Sequence, residues 1–145
     1  MVKRNFYKTC KKFPCNEKVF IDRSSPSIKH CKFKNDEEIS NFLISKGFTK
    51  YKTEELNFFE QIYLFSNASY IIGAHGAAFA NLTFCKKGAK VIEIRPKNHT
   101  DSNYKRICAI NDLNYSLLST NVIEKADQLK GDIYLDIEEL NKFFK

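Results

Sequence analysis

Short runs of apolar residues alternate along the chain with longer stretches whose apolar positions fall at helical spacing, a pattern that predicts strands separated by helices. Residues 18–22 (Lys-Val-Phe-Ile-Asp) read as a buried strand, closed by the turn signal Arg-Ser-Ser-Pro. Asn35 stands where an N-cap belongs, followed by acids at 36 to 38, apolar residues at 39, 42, 43 and 44, and Gly47 as a stop. A second strand is predicted over 48–52, and Asn57 opens a helix with apolar residues at 58, 59, 62, 65 and 68. Residues 69–73 (Ser-Tyr-Ile-Ile-Gly) form a third strand, from which a loop of small residues leads into a helix over 77–84, ended by Lys87-Gly88. The alternation continues with a strand over 90–94, a helix around 104–111, strands near 115–118 and 132–135, and a terminal helix from Ile137. Such an order predicts an α/β protein, Rossmann-like, with a parallel sheet and helices on both faces. One domain over residues 18–145 is expected, preceded by an irregular basic segment over 1–17.

Composition fits that reading, since 145 residues at 43% hydrophobic suffice for a single packed core. The formal charge of +7 suits any anionic partner, but the lysines are dispersed and no basic block marks a nucleic-acid-binding arm. No nucleic-acid partner is expected. Neither a membrane-length apolar run nor the apolar core of a signal peptide occurs, so the sequence predicts a soluble, cytoplasmic chain without a membrane span. The cysteines, at 10, 15, 31, 85 and 108, are odd in number and read as reduced thiols. Cys10, Cys15, His30 and Cys31 have zinc-ligand chemistry but lack the Cys-x-x-Cys spacing, so neither a metal nor a cofactor is expected.

The candidate chemistry lies in residues 73–81, Gly-Ala-His-Gly-Ala-Ala-Phe-Ala-Asn, between the third strand and the helix after it. In an open parallel sheet, ligands bind beyond the carboxyl ends of the strands, where helix N-termini present unpaired N–H groups. Phosphate must come close to the backbone, and Gly73, Ala74, Gly76, Ala77 and Ala78 leave that space clear, while His75 can donate to an anion. The alternative is that small residues only let a helix pack closely on the sheet. Glu93 shifts the balance, because a carboxylate near the carboxyl end of an apolar strand needs partners, and ribose hydroxyls or a neighbouring loop would supply them. The loop matches neither the Gly-x-x-x-x-Gly-Lys motif nor the Gly-x-Gly-x-x-Gly fingerprint.

Several motifs, in order, resemble glycosyltransferase family 61. They are Lys-Val-Phe-Ile-Asp-Arg at 18–23, Asn-Asp-Glu-Glu at 35–38, Gly47-Phe48, Glu60-Gln61, Phe-Ser-Asn-Ala at 65–68, the His75-Gly76-Ala77 loop with Asn81, and Val-Ile-Glu-Ile-Arg-Pro at 91–96. The stretch over 132–140 also fits. The resemblance implies an inverting transferase of the GT-B kind, acting in glycan or polysaccharide synthesis, whose carboxyl-terminal half holds a nucleotide-sugar, commonly a UDP-sugar. It places His75, Gly76, Ala77 and Asn81 in the donor loop, Glu93 on the next strand and Arg23 at the end of the first. Chemistry agrees: Arg23 can form a fork on a diphosphate, and Asn81 can fix the loop or the ligand. Ala78 stands where the family usually has Gly, which sets the phosphate slightly further out. The family's amino-terminal acceptor domain would require roughly twice this length. The expected partners are therefore a nucleotide-sugar donor, a glycan or protein acceptor, and a second chain or domain supplying the acceptor site.

Inverting transfer needs a base for the acceptor hydroxyl and stabilisation of the departing diphosphate. His75 is the catalytic candidate by residue type; facing the phosphates it acts instead as an electrostatic donor, and the base then comes from the acceptor half or from a partner. A non-catalytic nucleotide-binding remnant and a flavodoxin-like interaction module are the alternatives; the first predicts UDP binding without transfer, the second no nucleotide affinity.

Overall fold

The computed structural model describes residues 15–28, 31–121 and 131–145. Five strands, β1 (Lys18–Ile21), β2 (Thr49–Tyr51), β3 (Tyr70–Ala74), β4 (Lys90–Pro96) and β5 (Asn114–Thr120), form one sheet in the order β2-β1-β3-β4-β5. Every neighbouring pair is parallel, so the α/β, Rossmann-like class is established. The α-helices are α1 (Asp36–Ser45), α2 (Phe58–Asn67), α3 (Asn103–Ile110) and α4 (Ile137–Asn141).

Strict alternation along the strands builds a core on each face of the sheet. Phe20, Ile72, Ile92 and Ile94 pack with Ile39 and Leu43 of α1 and Leu140 of α4. Val19, Ile21, Ile71 and Val91 pack on the other side with Leu64 and Phe65 of α2, Phe79, Leu82, and Cys108 of α3. The chain runs outward from β1 to β2 and then returns past β1 to β3. The topological switch point therefore lies between the carboxyl ends of β1 and β3, where a crevice opens in sheets of this order.

Local chemistry explains most boundaries. Asn57 accepts from the Glu60 N–H at 3.0 Å while Glu60 Oε2 accepts from the Asn57 N–H at 2.9 Å, a capping box that starts α2. Gly47 and Gly88 end their segments with φ near +85° and +84°, a conformation glycine adopts without Cβ strain.

Two expectations need correction. Asn35 precedes α1, but its side chain makes no cap hydrogen bond. It donates instead to the Leu135 carbonyl at 2.8 Å and accepts from the Leu135 N–H at 3.2 Å. Residues 132–135 consequently form no strand of the sheet; Ile133 makes one isolated parallel bridge to Phe33, and the apolar signal of the segment reflects burial of Ile133 and Leu135. The helix expected over 77–84 is present as Ala77–Phe84, in 3-10 form. Its first turn closes with Phe79 N–H donating to the Gly76 carbonyl at 3.0 Å.

Burial of cysteine makes stability sensitive to alkali. Desolvation raises the Cys108 thiol from 9.0 to about 11 and Cys85 to about 12. A raised folded-state value keeps the thiol protonated in the native protein while the unfolded chain loses its proton. The contribution is complete below about pH 9 and disappears as pH rises through the folded values. The melting temperature is thus expected to fall between about pH 9 and about pH 11, less steeply in Cys108→Ala. Equal slopes for wild type and variant in a pH series of thermal melts would show that this thiol titrates normally.

Candidate functional site

At the switch point, the residues that follow β1 and β3 meet. Asp22 and Arg23 leave β1 in opposite directions, as alternation requires. Asp22 is anchored on the α1 side, accepting from the Ser24 N–H at 2.7 Å and lying 3.4 Å from Lys50 Nζ, which also reaches Asp36 at 2.5 Å. Arg23 turns to the α2 and α3 side and settles over Gly76, so closely that a Cβ at Gly76 would stand 1.7 Å from Arg23 Nη1 and 2.6 Å from Cζ. Burial holds the Arg23 guanidinium below the usual arginine value, yet arginine remains a cation throughout the physiological range.

Gly76 has φ 169° and ψ 171°, extended backbone open to any residue. What excludes a side chain there is the guanidinium. Gly73 is small for another reason: a Cβ on it would come within 2.9 Å of Ile21 Cβ and 3.4 Å of Phe79, so close strand and helix packing fills that space. Ala77 is exposed and Ala78 half-buried, and their N–H groups precede the first i to i+3 bond of the 3-10 helix. Asn81 points away, donating to Gln61 Oε1 on α2 at 2.9 Å, and so ties the 3-10 helix to its neighbour.

His75 continues the ladder beyond β3, its N–H donating to the Ile94 carbonyl at 2.8 Å. Nδ1 lies 2.5 Å from Glu93 Oε1, and the other carboxylate oxygen accepts from the Tyr115 hydroxyl at 2.5 Å. Glu93 is 1% exposed. Both of its oxygens are engaged within the protein, whereas one of the expected sets of partners was ribose. Arg95, two residues along the same face, holds Nη1 4.0 Å from Glu93 Oε1, and that nitrogen is buried without a hydrogen bond among the described residues. The His99 ring lies 4.1 Å from that of His75 and the Tyr104 ring 5.0 Å from it, with Tyr104 also against Phe79 at 5.4 Å. Burial, then His75 and Arg95, hold His99 below the ordinary imidazole value, while burial raises the Tyr104 and Tyr115 phenols.

The structure therefore gathers Arg23, His75, Gly76, Ala77, Ala78 and Glu93 at one end of the sheet, and adds Arg95, His99, Tyr104 and Tyr115. Of the added residues, Arg95 had a readable signal, since it shares a strand face with Glu93. Tyr115 and Tyr104 come from other elements, and nothing local in the sequence marks them. Carboxylates also border the site, Glu93 and Asp101 beside the histidines and Glu54 towards Arg23, and within it the Arg23 guanidinium at the switch point is the group suited to an anionic ligand. A separate cavity of about 710 Å³ opens beyond β5, lined by residues including Lys97, Thr120, Tyr134 and Glu139; no predicted site residue borders it.

Among the described residues, no group of three or more His, Cys, Asp or Glu side chains is arranged to hold a metal ion. Cys10 and His30 lie outside those residues. No helix among the described residues is long and apolar enough to cross a membrane.

No curated protein matches the chain. Residues 2–92 match the Glycosyltransferase 61 family. That span is more than half of the chain, and it carries β1 with Arg23, β3, and the loop with His75 and Gly76. The ordered motifs, the parallel sheet and this match agree, and the chain belongs to glycosyltransferase family 61, whose members are sugar-transferring enzymes.

Proposed function

We propose that the donor is a nucleotide-sugar, with a UDP-sugar as the leading candidate, and that its diphosphate sits at the β1/β3 switch point. The observation that carries this reading is the guanidinium of Arg23 held on Gly76 beside His75. An arginine fork matches the geometry of phosphate oxygens, and the N–H groups of Ala77 and Ala78 open the adjoining 3-10 turn. His75 is the catalytic side chain in this reading. Glu93, with both oxygens engaged, positions His75 and does not receive a ribose; Asn81 holds the loop. Transfer proceeds with inversion, and the acceptor, a glycan or a protein, is presented by a further domain or a second chain. The strand order is shared with flavodoxin-like proteins, but fold alone does not set function.

Calorimetry with UDP tests the assignment. Arg23→Ala is expected to weaken binding about tenfold or more, the loss of a charge-assisted contact worth on the order of 1.5–3 kcal/mol, and His75→Ala to weaken it less, because His75 Nδ1 is already engaged with Glu93. Equal affinity in wild type and both variants would sink it, and a wild-type chain without UDP affinity would favour an interaction module.

A further inference from the structure

The interior of the site points to a specific state of the histidine ring. Glu93 is buried on the strand face that also carries Val91, and an ionised carboxylate only accepts hydrogen bonds. Its two oxygens meet two groups, Tyr115 Oη at 2.5 Å and His75 Nδ1 at 2.5 Å. Each must donate. The proton on Nδ1 is then required by its partner, and the neutral ring has its lone pair on Nε2, the tautomer opposite to the one free histidine favours in water.

We propose that Tyr115 is a positioning residue that acts through Glu93 to hold His75 as its Nδ1–H tautomer, leaving Nε2 as a proton acceptor. The surroundings leave the work to this pair. Arg95 approaches only to 4.0 Å of Glu93 Oε1. His99 and Tyr104 face the His75 ring at centroid distances of 4.1 and 5.0 Å, Asp101 lies just before α3, and Arg23 covers the neighbouring Gly76. None of these makes a hydrogen bond to Nδ1.

If the donor site is as proposed above, a chemical role follows. An Nε2 lone pair can take the proton of the acceptor hydroxyl. The acceptor oxygen forms its bond to the anomeric carbon, the bond from that carbon to the diphosphate oxygen breaks with its electron pair, and the proton moves to Nε2. His75 then serves as the base, with Glu93 as its orienting group.

Nitrogen-15 NMR of the ligand-free full chain with the ring neutral reads the tautomer directly and needs no nucleotide. Wild type is expected to show His75 protonated on Nδ1. In Tyr115→Phe the carboxylate loses its second anchor and can rotate, and a mixture of tautomers is expected. Leu82→Ala, which weakens the same core without touching the pair, should keep the wild-type signature. An Nε2–H signal in wild type overturns the proposal, and so does an unmixed Nδ1–H signal in Tyr115→Phe. Failure of wild type to bind UDP would instead remove the donor reading while the tautomer result stood.

Discussion

Gly76→Ala is expected to cost UDP affinity about as much as Arg23→Ala does, roughly tenfold to a hundredfold, while changing the fold little. The backbone at Gly76 is extended and accepts alanine without strain, so the effect must come from what the new methyl meets. It would stand 1.7 Å from Nη1, 2.6 Å from Cζ and 3.2 Å from Nη2 of Arg23. A guanidinium is the far end of a flexible side chain, and it can swing away more cheaply than the loop can move. Melting temperature should therefore drop by only a few degrees, the equivalent of about 1 kcal/mol in a chain of this size. The decisive measurement is the double variant. Both changes remove the same guanidinium from the same place, so Arg23→Ala with Gly76→Ala should bind UDP no more weakly than either alone. Additive losses would mean that Gly76 meets the ligand by itself and that Arg23 acts elsewhere.

The contrast between Gly76 and Gly73 shows where local sequence reading ends. Both sit in one run of small residues, and both suggest room for phosphate. Gly73 is small because Ile21 is its register partner on β1 and Phe79 leans over it. Gly76 is small because Arg23 lies on it. Distinguishing the two requires the register of β1 against β3, which hydrophobic patterning does not supply. Element positions were legible because they rest on periodicity: the strands alternate between two cores, and the capping box of Asn57 and Glu60 starts α2 where expected. Residues 132–135 misled for a related reason. Their apolar character reflects burial under Asn35 and Phe33, and periodicity cannot separate a buried loop from a buried strand. Within the site, parity along the strands already relates Arg23, His75, Glu93 and Arg95. Tyr115 joins them across 22 residues of sequence, through a pairing of β4 with β5 that only the folded chain reveals.

Glu93→Ala is expected to cause the largest loss of stability of any site substitution. The carboxylate is 1% exposed and accepts from two donors at 2.5 Å, with the Arg95 guanidinium 4.0 Å away. Its removal leaves the Tyr115 hydroxyl and His75 Nδ1 facing a gap, and leaves Arg95 without its carboxylate. Each buried donor stripped of a partner costs about 1–3 kcal/mol, and breaking a buried ion pair from one side about 3–5 kcal/mol. For a chain of this length the lower end of that range corresponds to a fall in melting temperature of roughly 10 °C. Glu93→Gln keeps the shape and one acceptor oxygen, and should lose about half as much. Tyr115→Phe leaves the other oxygen of the carboxylate without its donor, and should fall between Glu93→Gln and wild type. That ordering follows from hydrogen-bond satisfaction, because the volume removed is small in two of the three variants. If Glu93→Ala melts within a few degrees of wild type, the carboxylate is not held as the structure places it, and the positioning of His75 through Glu93 and Tyr115 falls with it.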